Sequence, residues 1–140
     1  MQENRQISIP SKELAIKIAE YAFEKKAFDL KIFHVAKLLG YTDYIVVCSG
    51  RSDRQVKAIA DNIGMHLKQE HEMFPGGVEG DDYGQWVLMD FSDVVVHVFN
   101  APIRDYYDLD GLCQDAEQVP VETPPWEAEM RESAYGQSAV

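Results

Sequence analysis

Two apolar runs in the middle of the chain predict a β-hairpin. Residues 86–89 and 94–99 are both rich in β-branched and aromatic side chains, which favour strands. The link between them, Asp90–Asp93, contains the turn-forming residues Asp and Ser. Both faces of the second run are apolar, so we expect this strand to be covered on both sides, as in a sheet flanked by helices.

The rest of the hydrophobic pattern predicts helices that pack on a sheet. Helical spacing of apolar residues follows a candidate cap at Ser11, and a second helical stripe follows the capping box Ser52–Gln55. Alternation over residues 28–33 predicts a half-exposed strand, and the continuous apolar run 44–48 predicts a central strand. Because a strand–turn–helix unit followed by strands implies a right-handed crossover, we predict one α/β domain with a mixed sheet of four or five strands.

The last part of the chain changes character at Glu117. Before it, Pro102 opens a helical stretch whose apolar residues are expected to pack back on the sheet: Ile103, Tyr106, Tyr107, Leu109 and Leu112. After it, proline, glutamate and small polar residues dominate, with Trp126 as the one anchor candidate. The sequence therefore predicts a domain over residues 1–116 and an acidic, proline-containing flexible tail over residues 117–140.

Charge is divided unequally along the chain, whose formal net charge is −11. Residues 1–70 hold 11 Lys and Arg against 9 Asp and Glu, whereas residues 71–140 hold 2 against 15. Phosphate binding depends on Lys and Arg that displace counterions, so we expect little direct nucleic-acid contact from the acidic half. A basic protein surface is the partner that this charge favours.

The cellular compartment follows from what the sequence lacks. No segment has the length and apolarity of a membrane span, and the first residues lack a signal-peptide pattern, so a cytoplasmic protein is expected. Cys48 and Cys113 are far apart and have no metal-binding spacing, which predicts buried free thiols.

An enzyme is the first of two functional interpretations. The turn Ser49–Ser52, at a strand end before a helix, resembles a phosphate-cradling turn, although no glycine-rich phosphate motif is present. Asp90 and Asp93 are the carboxylates that a metal-dependent nucleotidyl- or phosphotransferase would need, but their spacing suits a turn better than a metal pair, as does that of Asp81-Asp82. The histidines share no metal spacing, so we assign no catalytic residue, metal or cofactor and keep this enzyme as the alternative.

A protein-binding surface is the second interpretation. The hairpin and the loop before it place aromatic side chains beside acidic and polar ones: Tyr83, Trp86, Phe91, Asp90, Ser92 and Asp93. Aromatic anchors supply buried contact area, and acidic groups orient a basic partner. The same aromatics would also suit the core and the same acids would suit turns, so both interpretations stay open for each residue.

An ordered set of motifs between Ser11 and Asp115 resembles the Iojap family, the ribosomal silencing factors also called RsfS. The motifs are Thr42-Asp43-Tyr44, Gly50-Arg51-Ser52 with Gln55-Val56, Glu79-Gly80, the hairpin pattern Trp86, Asp90, Asp93, Val94, Val96, His97 and Phe99, and finally Arg104, Tyr107 and Leu109. The resemblance implies a non-catalytic protein whose fold is similar to that of nucleotidyltransferases. It also implies binding to the large ribosomal subunit through ribosomal protein L-fourteen, which blocks joining of the small subunit when nutrients are scarce.

The resemblance also assigns roles to individual residues. Trp86, Asp90 and Asp93 match the motif of the face that binds the ribosomal protein, and Leu88 and Tyr83 are added by position. Glu79, His97, Arg104 and Tyr107 match the pattern and are assigned either to the fold or to the interface. This chain departs from the family at Leu109-Asp110, where Leu-Glu is common, and at Leu112-Cys113, where Leu-Trp is common. A homodimer of the free protein stays open, because an exposed strand edge could pair two copies.

Overall fold

The computed structural model describes residues 9–80 and 82–136, which form an α/β domain built on one mixed sheet. In chain order the helices and strands are α1 Ser11–Glu24, β1 Phe28–His34, β2 Tyr44–Gly50, α2 Asp53–His71, β3 Gly77–Glu79, β4 Trp86–Asp90, β5 Val94–Asn100, α3 Ala101–Tyr107, α4 Leu109–Leu112, β6 Glu117–Val119 and α5 Glu127–Gly136. The sheet order is β3-β4-β5-β2-β1-β6. The predicted α/β class and mixed sheet are confirmed, but the sheet has six strands, because short β3 and β6 add an edge on each side.

The centre of the sheet is the parallel pair β2–β5, and the other neighbours are antiparallel. Val94, Val96 and Val98 point toward α1 and α2 and belong to the larger core cluster. On the opposite face Phe99 belongs to a smaller cluster with Val47 and Cys113, which α3 and α4 partly cover. β5 is therefore buried on both faces, as its two-sided apolar pattern predicts.

The start of α2 confirms the predicted capping box. The backbone N–H of Gln55 donates to Ser52 Oγ at 3.1 Å, and the Gln55 side chain accepts the backbone N–H of Arg51. The cap expected at Ser11 is wrong: α1 begins after Pro10 without a side-chain cap, and Ser11 Oγ instead donates to Asp93 Oδ2 at 3.3 Å. Both cysteines are free and buried, and burial raises the pKa of the Cys48 thiol to about 12.

The acidic segment after Ala116 corrects the prediction of a flexible tail for residues 117–136. Glu117–Val119 pair with Ile32–His34 as an antiparallel edge strand. Farther on, the buried Glu127 carboxylate accepts the backbone N–H of Asp29 at 2.7 Å, which places α5 against β1. Trp126 packs edge-on against Phe23 at 6.3 Å between ring centroids. Because these contacts lie far from the segment in sequence, its composition could not predict them; residues 137–140 lie outside the described part.

Arg104 joins the helices that follow β5 to the sheet. The residue is 1% exposed, and its guanidinium donates two parallel hydrogen bonds to the Asp110 carboxylate, at 2.9 and 3.0 Å. It also donates to Ser49 Oγ at 3.0 Å and to the backbone carbonyl of Asp29. One side chain therefore ties α3 and α4 to β1 and β2. The Asp110 carboxylate is its bidentate partner, and the Asp29 carboxylate lies 3.6 Å from its Nη1, so two carboxylates balance the buried charge.

Replacing Arg104 with alanine is expected to lower the free energy of unfolding by about 3–5 kcal/mol, because Asp110 loses its partner and Ser49 and the Asp29 carbonyl lose a donor. Urea denaturation measures the change. The exposed arginine in Arg54→Ala is the control, with an expected change within about 0.5 kcal/mol. A decrease below about 1 kcal/mol in Arg104→Ala would show that this network contributes little to stability.

The docking of α5 is tested by two glutamates on the same helix. Glu127→Ala leaves the Asp29 N–H without its acceptor and is expected to cost about 1–3 kcal/mol of unfolding free energy in urea denaturation. Glu129→Ala removes an exposed carboxylate and is expected to change it by less than about 0.5 kcal/mol. Equal values for the two variants would mean that the segment does not pack on β1 in solution.

Candidate partner-binding surface

The alternation along β4 separates its side chains into a buried side and an outward side. Val87 and Met89 are buried in the larger core cluster. Trp86 and Leu88 are half-buried and Asp90 is exposed, all on the opposite side of the strand. We call the surface formed by Trp86, Leu88 and Asp90 the hairpin face. It brings together three of the residues that the sequence predicts for partner binding.

Trp86 is held on the hairpin face by rings on both the sheet and α3. Its ring centroid lies 4.9 Å from that of Phe99, in a stacked arrangement, and 4.6 Å from that of Tyr107. Its Nε1–H donates to Nδ1 of His97 at 3.0 Å. The indole is therefore fixed in one orientation while part of its surface stays open, which is the usual state of an aromatic interface anchor.

His97 lies beneath Trp86 and is 4% exposed. Because its Nδ1 accepts the indole N–H, the neutral ring must carry its proton on Nε2, and that atom has no hydrogen-bond partner among the described residues. Burial lowers the pKa of His97 to about 4, so the ring is neutral near pH 7. The role of His97 is thus to position Trp86.

The turn of the hairpin forms an exposed acidic end. The Asp90 carboxylate accepts the backbone N–H of Ser92 at 2.8 Å, and Ser92 takes a left-handed conformation with φ 73°. The Asp93 backbone carbonyl accepts the N–H groups of Asp43 and Tyr44, both at 3.0 Å, which ties the turn to the start of β2. The side chains of Asp90, Ser92 and Asp93 are all exposed, as a contact with a partner requires.

Two predicted site residues differ in position from the rest. Phe91 is 8% exposed and packs in the larger core cluster, so its assignment to the surface is corrected. Phe91 lies in the turn, where side chains do not alternate between two faces, so the sequence pattern does not show which way its ring points. In the structure this ring packs at the end of the larger core cluster. Tyr83 is 80% exposed, but the adjoining Gly84 lies against the backbone of Asp53 at the start of α2. Tyr83 therefore lies near the Trp86 end of the hairpin, away from the acidic turn.

Several exposed apolar residues near the hairpin face were not predicted as surface. Tyr106, Tyr107 and Leu112 are 79%, 53% and 60% exposed, so the expectation that they pack back on the sheet is wrong for most of their area. Ile103 and Leu109 do pack against the smaller core cluster. The reason is that α3 and α4 are short and break at Asp108, so one face is buried and the other projects outward.

Tyr41, in the connection before β2, adds a further ring to this side of the sheet. It is 64% exposed. Partial burial raises the pKa of its hydroxyl, and the charges of Cys113 and Asp90 add to the rise. The surface around the hairpin face is therefore aromatic and apolar with a carboxylate at its border.

The phosphate-like turn and the hairpin carboxylates lie at opposite ends of the sheet. Gly50 pairs with Asn100, whereas Asp93 immediately precedes Val94, which pairs with Tyr44 at the other end of β2. A seven-residue strand separates them, a length of about 20 Å. The N–H groups of Arg51 and Gln55 in the turn are already satisfied by the capping box. This geometry gives no support to an active site shared by the turn and the carboxylates; Asp81 lies outside the described residues.

Within residues 9–80 and 82–136, no group of three His, Cys, Asp or Glu side chains is placed to hold a metal ion. None of the helices in those ranges combines the length and apolarity that crossing a membrane requires.

Comparison with known proteins gives consistent matches. A family model described as ribosomal silencing factor during starvation matches residues 8–139. The ribosomal silencing factor RsfS of Bacillus subtilis is 40% identical over 102 residues, 72% of this chain and 86% of that protein. A mouse protein named mitochondrial assembly of ribosomal large subunit protein 1 is 30% identical over 92 residues, 64% of this chain and 40% of that protein. A crystal structure of a Chromobacterium violaceum protein superposes with a TM-score of 0.73 at 33% identity, covering 83% of this chain and 91% of that one.

The buried state of His97 predicts a specific pH dependence of stability. An unfolded histidine has a pKa near 6.5, whereas that of His97 in the fold is about 4, so the unfolded chain binds the proton first as the pH falls. Stability is expected to decrease from about pH 6.5 to pH 4 and then to level off for this group. His97→Phe removes the titration, so its decrease over that interval is expected to be smaller than that of the wild type by up to about 3 kcal/mol.

Urea denaturation followed by circular dichroism at pH 7 and pH 4.5 measures this difference. The unpaired indole N–H in His97→Phe lowers stability at both pH values and cancels in the comparison. His34→Gln, at a half-exposed histidine, is the control and is expected to keep most of the wild-type pH dependence. Parallel curves for wild type and His97→Phe would contradict the assignment of His97 as a buried neutral ring.

Proposed function

The chain belongs to the ribosomal silencing factor family, and from this membership we propose that it binds the large ribosomal subunit through ribosomal protein L-fourteen. While it occupies that position, the small subunit cannot join, and translation is repressed under nutrient limitation. The protein works in the cytoplasm and acts by occupancy, without catalysis. The mouse relative, whose name refers to assembly of the large ribosomal subunit, supports a partner on that subunit.

The hairpin face is the observation that carries this proposal. Trp86 is preorganised by Phe99, Tyr107 and His97, so little side-chain entropy is lost when a partner covers it. Aromatic anchors that are held in place and only partly covered are typical of interface hot spots. Trp86 and Leu88 are therefore the buried centre of the proposed contact.

The acidic turn supplies the charge that a basic ribosomal protein would meet. Asp90 and Asp93 are exposed, and they belong to a chain with net charge −11. Exposed charges at the rim of an interface steer association and orient the partners more than they add affinity. We therefore assign orientation to Asp90, Asp93 and Ser92, and burial to Trp86 and Leu88.

The size of the domain is sufficient for a steric block. Its accessible surface is 7997 Å², and a standard protein interface buries about 800 Å² on each partner. About a tenth of the surface would be used for docking, and most of the domain would project from the subunit. A body of this size at the subunit interface prevents joining without any chemical step.

The separation of the Gly50 turn from the hairpin carboxylates argues against the alternative of a metal-dependent nucleotidyl- or phosphotransferase. Such an enzyme would need the Gly50 turn and carboxylates such as Asp90 and Asp93 at one place, and β2 separates them by its whole length. The family itself is described by a silencing role rather than by a reaction.

Sedimentation through sucrose gradients tests the proposal directly. Wild-type protein is expected to comigrate with purified large subunits and to reduce their joining with small subunits. Trp86→Ala is expected to weaken binding at least about 30-fold, since hot-spot truncations cost about 2 kcal/mol or more. Asp90→Lys, which reverses a charge on the hairpin face, is expected to weaken it at least about tenfold, and both variants should restore subunit joining.

Matched controls separate these effects from general changes of charge or ring number. Glu20→Lys makes the same charge reversal at an exposed position of α1, and Phe74→Ala removes an aromatic ring that is 63% exposed before β3. Both are expected to bind like the wild type. Unchanged comigration of folded Trp86→Ala and Asp90→Lys proteins would remove the hairpin face from the proposed interface.

A further inference from the structure

A group of cations gathers at one end of this acidic domain. The end of α1 and the start of α2 contribute side chains that we call the cationic end: Lys25, Lys26, Arg51, Arg54 and Lys57. All but Lys57 are exposed. The chain has 13 Lys and Arg in total and a net charge of −11, so this local cluster is opposite in sign to the overall charge.

The side chain of Gln55 holds the two contributing segments side by side. Its Nε2 donates to the backbone carbonyls of Lys25 and Lys26, at 3.1 and 3.2 Å. Its Oε1 accepts the backbone N–H of Arg51. The cations that follow α1 and those that begin α2 therefore share one surface that the fold fixes, although about 25 residues separate them in sequence.

Among the described residues, the close contacts of these cations are with uncharged groups, which orient them and leave their charge in place. Lys26 Nζ lies 4.5 Å from the ring centroid of Trp126, and Arg51 Nη1 lies 3.9 Å from Sδ of Met130. Lys57 Nζ donates to the backbone carbonyl of Asp82 at 2.8 Å. These partners are a ring, a thioether and a carbonyl. The ion pairs found between described residues involve other basic side chains: His34, His66, Arg104 and Arg131.

The acidic groups beside the cationic end are partly engaged elsewhere. The Asp53 carboxylate accepts the Asn100 side-chain amide at 2.7 Å, and the Glu127 carboxylate is buried against the Asp29 N–H. Asp61 and Asp82 are exposed at its border. Glu24, at the end of α1, is also exposed, and its carboxylate contacts the Asn62 amide and the His66 ring at 3.0 and 2.9 Å. Among the described residues, the five lysine and arginine side chains outnumber the exposed carboxylates of Glu24, Asp61 and Asp82.

The cationic end and Trp86 lie at the same end of the sheet, on opposite faces of it. Trp86 pairs with Phe99, and the next residue, Asn100, binds Asp53 in the first turn of α2. Gly84, two residues before Trp86, lies against the Asp53 carbonyl. The loop before Trp86 and the start of α2 therefore meet at this edge of the sheet, and RNA beside a partner on Trp86 would reach the cationic end around that edge.

We propose that the cationic end binds the phosphate backbone of RNA next to the protein partner of the hairpin face. This inference rests on the proposed function, because the large subunit is the body that places RNA around a ribosomal protein. Exposed Lys and Arg without an aromatic pocket suit a phosphate backbone, where binding gains from counterion release. It revises the expectation of little nucleic-acid contact, which came from the acidic second half, since every cation involved comes from residues 25–57.

A charge-neutralising variant with a matched control tests the proposal. The first variant carries Lys25→Gln, Lys26→Gln, Arg51→Gln and Arg54→Gln. The control carries Lys12→Gln, Lys17→Gln, Lys37→Gln and Lys68→Gln, which change the net charge by the same amount elsewhere on the surface. Dissociation constants for purified large subunits are measured from about 50 to 300 mM salt, and thermal unfolding verifies that both variants are folded.

The cationic-end variant is expected to bind large subunits at least about tenfold more weakly near 100 mM salt. The slope of log K against log salt is expected to fall by about 0.7 for each phosphate that the variant no longer neutralises, or about 1.4 for two phosphates. The control is expected to stay within about twofold of wild type with an unchanged slope. Equal slopes and affinities for the two variants would overturn the proposal.

Binding to isolated ribosomal protein L-fourteen separates this inference from the proposed function. The cationic-end variant is expected to bind the isolated protein like the wild type, whereas Trp86→Ala is expected to bind both targets at least about 30-fold more weakly. If the cationic-end variant also fails to bind the isolated protein, its cations contact protein and the RNA inference is wrong. If wild type does not bind the isolated protein but keeps a salt slope on subunits that the variant lowers, the proposed partner is wrong and the RNA contact stands.

Discussion

The structure depends on how one buried cation is balanced. Arg104 is removed from water, and a guanidinium in that state must find acceptors on every side. It finds them in Asp110, in Ser49 and in the carbonyl of Asp29, which belong to α4, β2 and β1. This requirement fixes where α3 and α4 lie on the sheet. The same helices carry the rings and apolar side chains beside the hairpin face, so a core interaction determines the shape of the proposed interface.

The two strands of the hairpin differ in burial: β5 belongs to the core, and β4 carries the proposed binding surface. β5 is covered on both faces and belongs to the core, so its valines contribute stability and leave nothing for a partner. β4 is covered on one face only, and its other face carries Trp86, Leu88 and Asp90. His97 connects the strands, because a core residue of β5 holds the indole of β4 in place through its neutral ring. A buried side chain thereby fixes the orientation of Trp86 on the surface that is proposed to contact the ribosome.

Local patterns predicted much of this fold. The hairpin, the capping box at Ser52, the buried thiols and the α/β class all follow from spacing within a few residues. What could not be predicted depends on distant contacts: Phe91 closes the core, and Glu127 is buried because of Asp29, 98 positions away. For the candidate site, the family motif indicated Trp86 and Asp90 and their spacing added Leu88, but the exposure of Tyr107 depends on where α3 ends. The cationic end likewise exists only because Gln55 brings two segments together.

The placement of the tryptophans has a practical consequence. The chain contains two, and they lie in separate environments: Trp86 on the hairpin face, bonded to His97, and Trp126 against Phe23 with the Lys26 ammonium above its ring. Each indole is therefore a native fluorophore for one region, and quenching or a shift of the emission maximum would distinguish occupancy of the docking surface from undocking of the C-terminal helix. Such an optical signal needs no attached dye.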